Sequence, residues 1–355
     1  MKTICLNMIV RDESKVIERC LSSVKNIIDY WVIVDTGSSD GTQAIIRQAM
    51  KDIPGELFER PWIDFAHNRN EALGLARGKA DYTLFIDADE QLVLTKPFDK
   101  NHLSKSFYVI KSVGLDTEHF RIHLVDRHPG WKWDGVVHES VINSQEMEGG
   151  ALHDAIIDFR PRDGHRFSDP NKFLKDAEVL EKALQKDPAN ARYVFYLAQS
   201  YFNAREFPLA LKNFEKRVSM GGEKGEVYIS LLCIGYVQDL LKMDDDRIIG
   251  SYLLAFQYNS SRAEPLERLG QFFYQKGWHF LGYLIAQYAL SIPRTTDLSV
   301  HAFHWVYDYS LRLLFADCAF AINRFQESAD AYRQVLKSDQ LPAELKERVN
   351  KRLAL

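Results

Sequence analysis

The run Tyr82-Thr83-Leu84-Phe85-Ile86-Asp87-Ala88-Asp89-Glu90 points to an α/β architecture. Five uncharged residues of strand type read as a buried strand, and the chain then passes directly into acids. Two upstream segments have the same form. Residues 4–10 are apolar and end in Arg11-Asp12-Glu13, and Trp31-Val32-Ile33-Val34 ends in Asp35-Thr36-Gly37-Ser38-Ser39-Asp40-Gly41-Thr42. Between them Val16, Ile17, Cys20, Leu21 and Val24 recur at helical spacing, giving a helix over roughly 14–26. Ile45, Ile46 and Ala49 give a second helix, residues near 56–60 a third strand, and residues near 66–77 a third helix. This βαβαβαβ order predicts a parallel sheet with helices on both faces. Ligands of such sheets bind beyond the carboxyl ends of the strands, where Arg11-Asp12-Glu13, Asp35 and Asp87-Ala88-Asp89 all fall.

Further along, Phe107-Tyr108-Val109-Ile110, residues 119–125 and residues 136–142 read as strands, the last two alternating apolar and polar side chains. Pro129-Gly130-Trp131-Lys132-Trp133-Asp134-Gly135 reads as a loop, and residues 160–172 as a linker. After Pro170 the pattern is helical. Leu197-Ala198-x-x-Tyr201 with Ala210-x-x-x-Phe214 fits the tetratricopeptide template, and Phe315-Ala316 with Ser328-x-x-x-Tyr332 fits it again 118 residues later. Three periods of about 34 leave roughly 16 residues over, so irregular repeats are expected between them. The predicted organisation is a catalytic domain over 1–165 and a helical repeat domain over 166–355.

Composition narrows the function. The chain has 355 residues, 46% hydrophobic and 26% charged, with a net charge of −4, which disfavours a nucleic-acid wrapper or a polybasic membrane binder. Residues 1–170 carry 21 Lys and Arg against 27 Asp and Glu, or −6, together with eight of the 11 histidines. Proton and metal chemistry is therefore expected in the first half. Four scattered cysteines suggest a reducing compartment. Arg11-Asp12-Glu13 interrupts the first apolar run before a signal-peptide core is complete, and no run approaches the ~20 apolar residues of a membrane span. The expected location is cytoplasmic, extending to the inner membrane face as a peripheral protein.

Four segments together resemble the family 2 glycosyltransferases of GT-A fold: Asn7-Met8-Ile9-Val10-Arg11-Asp12-Glu13, residues 34–42, Ala66-x-Asn68-Arg69-Asn70-Glu71-Ala72, and Phe85-Ile86-Asp87-Ala88-Asp89-Glu90. The likeness covers about residues 3–155. The resemblance implies an α/β GT-A domain followed by the helical repeats. It also implies a UDP-sugar donor and Mn²⁺ or Mg²⁺ on Asp87 and Asp89, the D-x-D of the family. Asp35 would hold the base or ribose, with Gly37 letting the backbone approach. Val10, Arg11 and Glu13 match the first nucleotide-contacting segment, Arg69 would approach the diphosphate, and Asp87 would also bind the donor.

Trp131-Lys132-Trp133-Asp134-Gly135-Val136-Val137-His138-Glu139 resembles a segment of the branch containing lipopolysaccharide-core glucosyltransferases and bacteriocin peptide glycosyltransferases. The resemblance implies an acid base here, Glu139 with Asp134 in reserve, and a histidine as third metal ligand, His138 or His153. On a regular strand His138 and Glu139 would point to opposite faces. Trp131 and Trp133 either stack on an acceptor sugar or pack in the core. The leading expectation is an inverting, metal-assisted hexosyltransferase acting on a glycan or glycolipid hydroxyl. A peptide or protein acceptor, or a homodimer or partner protein held by the repeats, is the alternative. A non-enzymatic repeat scaffold with a vestigial domain is the reading from another class.

Overall fold

In chain order β1 (Ile4–Val10), α1 (Ile17–Val24), β2 (Tyr30–Asp35), α2 (Thr42–Ala49), β3 (Gly55–Glu59), α3 (Phe65–Ala76) and β4 (Tyr82–Phe85) build the expected alternation. The computed structural model describes residues 1–115, 117–161, 163–295 and 302–354. All three pairings among these strands are parallel, β2 with β3, β1 with β2 and β1 with β4. The apolar runs explain the burial, since Ile4, Leu6, Val32, Ile33 and Val34 have no exposed surface. α1 covers one face through Ile17, Cys20, Leu21 and Val24, the residues of its apolar stripe.

The chain continues through β5 (Gln91–Leu94), β6 (Phe107–Val113), β7 (Glu118–Asp126), β8 (Lys132–Asp134), β9 (Ser140–Ile142) and β10 (Gly149–Asp158). Eight strands form one mixed sheet in the order β3-β2-β1-β4-β7-β6-β10-β5, with β7 antiparallel to β4 and to β6. β8 and β9 form a separate ribbon. The strand expected over 136–142 is reduced to Ser140–Ile142. Gly135 and His138 adopt φ of +115° and +54°, left-handed conformations that break an extended strand.

The described residues divide into two compact units, Met1–Ala183 and Leu184–Leu355. Residues 166–183, grouped with the repeats on sequence, lie in the first unit, which ends within α4 (Lys172–Lys186). The second unit consists of helix pairs: α5 (Ala191–Asn203) with α6 (Phe207–Met220), α7 (Lys224–Leu240) with α8 (Asp245–Tyr258), α9 (Glu264–Gln275) with α10 (His279–Ala289), and α11 (Leu311–Ala321) with α12 (Phe325–Val335). α13 (Ala343–Leu353) follows. Successive pairs start at 191, 224, 264 and 311, steps of 33, 40 and 47 residues, so the surplus lies in the second and third repeats. The template residues Ala198, Ala210, Phe214 and Ala316 have no exposed surface, and the Ser328 hydroxyl donates to the Ala316 carbonyl at 2.8 Å. Small residues sit where the helices approach. A Cβ on Gly235 would lie 2.8 Å from the Tyr252 ring.

Candidate active site

The turns after β1 and β2 are laced together by side chains. Asp12, held at φ +54°, donates its N–H to the Ser38 hydroxyl and accepts the Ser39 N–H, both at 2.8 Å. The Glu13 N–H donates to the Thr42 hydroxyl, and the Ser14 N–H to Asp40. Asp35 closes its own turn, one carboxylate oxygen accepting the Gly37 and Ser38 N–H groups at 2.9 and 2.8 Å. Gly37 needs its φ of +106°, which an L side chain rarely adopts. The other Asp35 oxygen is buried with no hydrogen-bond partner. Asp35 lines an open cleft of about 390 Å³ with Gly37, Ser38, Gln43, Glu59, Arg60 and Pro61.

The Val10 carbonyl is taken by the Thr36 N–H and hydroxyl, so its acceptor capacity is spent inside the turn. The Arg11 side chain is 54% exposed and stands 3.8 Å from Asp12, a surface position. Glu13 instead points inward, its carboxylate accepting the His165 N–H at 3.1 Å. Burial, with Asp89, Asp40 and Asp87 nearby, pushes its carboxyl up to about 7.

Each residue of Asn68-Arg69-Asn70-Glu71 on α3 has a partner. Asn68 accepts the Ile63 N–H and donates to the Pro61 carbonyl. The Asn70 amide pairs both ways with the Trp133 backbone at 2.8 Å, fixing β8 to the helix. Glu71 pairs with Arg60 at 2.7 Å. Arg69 bonds Asp87 and Glu139, each at 2.6 Å, and its guanidinium lies 4.7 Å from the Trp133 ring centroid. The helix thus gathers the acids after β4 and the 131–139 segment about one cation.

The Asp87 N–H donates to Glu90, whose other oxygen accepts Arg121 of β7 at 2.6 Å. Burial works against ionising Asp87, but Arg69 and Arg121 outweigh it and hold the carboxyl at about 2. Burial, then the neighbouring Asp87 charge, raises Asp89. The segment read as a linker closes over this acid. Arg19 bonds both oxygens of Asp163 at 2.7 Å and the Asp89 carbonyl at 3.0 Å. Gly164 lies so close that a Cβ would stand 2.5 Å from an Asp89 carboxylate oxygen.

The proposed catalytic and metal residues are placed unequally. Glu139 reaches Asp87 through Arg69. Asp134 is exposed at the end of β8, and His138 is exposed on the turn that replaces the expected strand, so the alternation argument for His138 and Glu139 does not apply. His153 is exposed within the register break of β10 between Ala151 and Ile156. Among the described residues no group of three or more His, Cys, Asp or Glu stands where it could hold a metal ion. The expected histidine ligand is therefore not assembled. Asp87 and Asp89 fit a hard cation of the Mg²⁺ type, which usually takes one or two carboxylates and completes its shell with substrate phosphates and water. Trp131 and Trp133 are 3% and 8% exposed and pack with Phe85, Val125 and Val141, so they are core residues and not sugar platforms.

Sequence reading did not single out Arg19, Asp163, Gly164, Glu90, Arg121 or His123. The signal available for the last two was the alternation His119-x-Arg121-x-His123 in β7, which turns these polar side chains to one face.

Residues 5–93 match the family model described as Glycosyl transferase family 2, and the first unit carries a domain of that family. Among curated proteins, the chain is 43% identical over 95 residues to a TPR repeat-containing protein of Synechococcus elongatus, covering 26% of this chain and 22% of that one. It is 27% identical over 215 residues to the SPbeta prophage-derived glycosyltransferase SunS of Bacillus subtilis, covering 56% of this chain and 49% of the other. The chain thus spans half or less of these relatives. Among solved structures, the crystal structure of MamA protein aligns with 50% of this chain and 86% of its own at 15% identity and a TM-score of 0.39.

Proposed function

We propose that the protein is a glycosyltransferase moving a hexose from a UDP-sugar to a hydroxyl of a glycan or glycolipid. The observation that carries the reading is the buried, unpartnered oxygen of Asp35 beside the cleft. An acceptor removed from water without a partner costs about 1–3 kcal/mol, and a uracil N–H or ribose hydroxyl would satisfy it. The laced turns around Gly37 hold it ready.

The diphosphate would then lie toward Asp87 and Asp89, where Arg69 supplies fixed positive charge. A divalent cation held by Asp87 and Asp89 would neutralise charge on the leaving group. In an inverting displacement the acceptor oxygen attacks the anomeric carbon, the bond to the phosphate oxygen breaks with its electron pair, and the acceptor proton passes to Glu139. Arg69 orients that carboxylate beside the acids, whereas Asp134 has no such tie, which favours Glu139 as base.

Calorimetric titration of uridine diphosphate tests the reading. Asp35→Asn is expected to weaken binding by roughly 10–100-fold, the worth of a hydrogen bond to a charged group. If the wild-type protein binds no uridine nucleotide and neither hydrolyses nor transfers from UDP-sugars, the reading is overturned.

A second reading, a peptide or protein acceptor, rests on the helix pairs of the second unit, a repeat architecture suited to peptide and protein partners, and on the reach of the similarity to the glycosyltransferase SunS. Its 56% of the chain is more than the first unit contains, 183 of 355 residues, so the likeness reaches beyond the first unit. Mass spectrometry of glycolipid and protein fractions after incubation with labelled donor separates the two.

A further inference from the structure

β7 turns Arg121 and His123 to one face, and the mechanism above uses neither. His123 is buried and its ring is bonded on both sides. Nδ1 lies 2.8 Å from the Phe85 carbonyl, and Nε2 lies 3.2 Å from both Arg121 Nε and the Ser112 hydroxyl. Arg121 Nε can only donate, so His123 Nε2 is the acceptor and Nδ1 carries the proton given to Phe85. The imidazole is neutral, with its tautomer fixed by the last residue of β4, two positions before Asp87.

This ring sets the plane of the Arg121 guanidinium. Nη2 is committed to Glu90 at 2.6 Å, while Nη1 stands 3.8 Å from the Asp87 carboxylate, beyond hydrogen-bond length. Arg69 binds the opposite oxygen of Asp87. Two guanidinium groups therefore flank one carboxylate, and they differ in access: the Arg69 side chain is 11% exposed, that of Arg121 39%. A half-exposed arginine with its Nε locked and one terminal nitrogen directed at the acid turn presents the planar donor geometry that matches phosphate oxygens.

We propose that Arg121 is a second guanidinium for the diphosphate of the donor, and that His123 is the positioning residue that aims it. The proposal rests on the nucleotide-sugar reading above and adds a recognition group for the phosphate farther from the nucleoside. The leaving group's charge rises as the glycosidic bond breaks, so Arg121 contributes most in the transition state.

The test compares uridine diphosphate with uridine monophosphate by calorimetry on the full chain, and follows transfer kinetics with the donor varied. Arg121→Gln is expected to weaken diphosphate binding by roughly 10–100-fold and to lower kcat, leaving monophosphate binding within about twofold. Arg121→Lys, a point charge without the fork, should recover part of the loss. His123→Leu should weaken the diphosphate selectively and by less, roughly 3–10-fold, since the charge remains but its plane is no longer set. Monophosphate binding also reports that each variant is folded.

Equal losses for both nucleotides, or unchanged diphosphate affinity in Arg121→Gln, would overturn the proposal. So would a wild-type protein that binds both nucleotides equally, although the nucleotide reading would then stand. A wild-type protein that binds neither overturns that underlying reading.

Discussion

Replacing Arg69 with Gln tests the organisation of the site through stability. The wild-type guanidinium, 11% exposed, neutralises two carboxylates at 2.6 Å and faces an indole ring. Arg69 and, after it, Arg121 overcome the burial of Asp87 and hold its carboxyl at about 2; the Arg69 share is a charge-assisted hydrogen bond, worth ~1.5–3 kcal/mol and toward the low end because the Asp87 side chain is 31% exposed. The Glu139 bond is of the charge-assisted kind, ~1.5–3 kcal/mol, and the ring adds ~0.5–1 kcal/mol. Glutamine keeps some hydrogen bonding, so the net loss expected is about 3–4 kcal/mol, in the range for breaking one side of a buried pair.

Urea unfolding monitored by hydrogen exchange at β4 and α3 amides reads the first unit. In a Glu139→Gln background the same change should cost about 1.5–2 kcal/mol less, because one stranded carboxylate has been removed. The Asp87 contribution also has a pH signature. A carboxyl depressed in the folded state stabilises above its unfolded value and loses that contribution as pH falls through its folded value. The gap between wild type and Arg69→Gln should therefore be full above pH 4 and shrink toward pH 2. A coupling under about 0.5 kcal/mol, or a gap independent of pH, would refute the bridge.

Glu13 should behave in the opposite sense. Its carboxyl is raised from 4.5 to about 7, so its favourable contribution is complete below pH 4.5 and lost as pH rises to 7. Glu13→Gln is expected to match wild type near pH 4.5 and to exceed it by about 1–2 kcal/mol at pH 8, the full shift being discounted for solvent screening. Melting curves at both pH values check this, and equal differences at the two would contradict it. Gly164→Ala should push the 163–165 segment from Asp89, since the new methyl would stand 2.5 Å from its carboxylate. Roughly 1–3 kcal/mol of destabilisation is expected, with a raised KM for donor in a steady-state assay. Unaltered stability and KM would show that the contact is not rigid.

The parallel half of the sheet was legible because burial on both faces leaves uncharged runs such as Trp31–Val34, and acids such as Asp35 and Asp87 mark their ends. The 136–142 segment misled because Val136-Val137 has strand composition like the true strand residues Val141-Ile142, while the conformations of Gly135 and His138 do not show in hydropathy. The expectation of a histidine beside Asp87 and Asp89 had a different weakness. A histidine's identity says nothing of its direction, and the register break in β10 leaves His153 exposed. Arg121 escaped notice because a charge on a strand ordinarily marks a solvated face. Residues 160–172 have the Gly, Asp and Pro content of a linker, yet that composition also lets a backbone approach closely, as Gly164 does at Asp89.

The cross-ties between the turns after β1 and β2 have a kinetic consequence. Their backbone N–H groups are already bonded to Ser38, Asp40, Thr42 and Asp12, so that wall has little ordering entropy left to surrender when a ligand arrives. At the acid end the proposed diphosphate would instead require Arg69 and Arg121 to exchange protein carboxylates for phosphate. Association should therefore run in two phases, rapid seating of the nucleoside in a preset cradle and then slower re-pairing of charges. Salt should act mainly on the second.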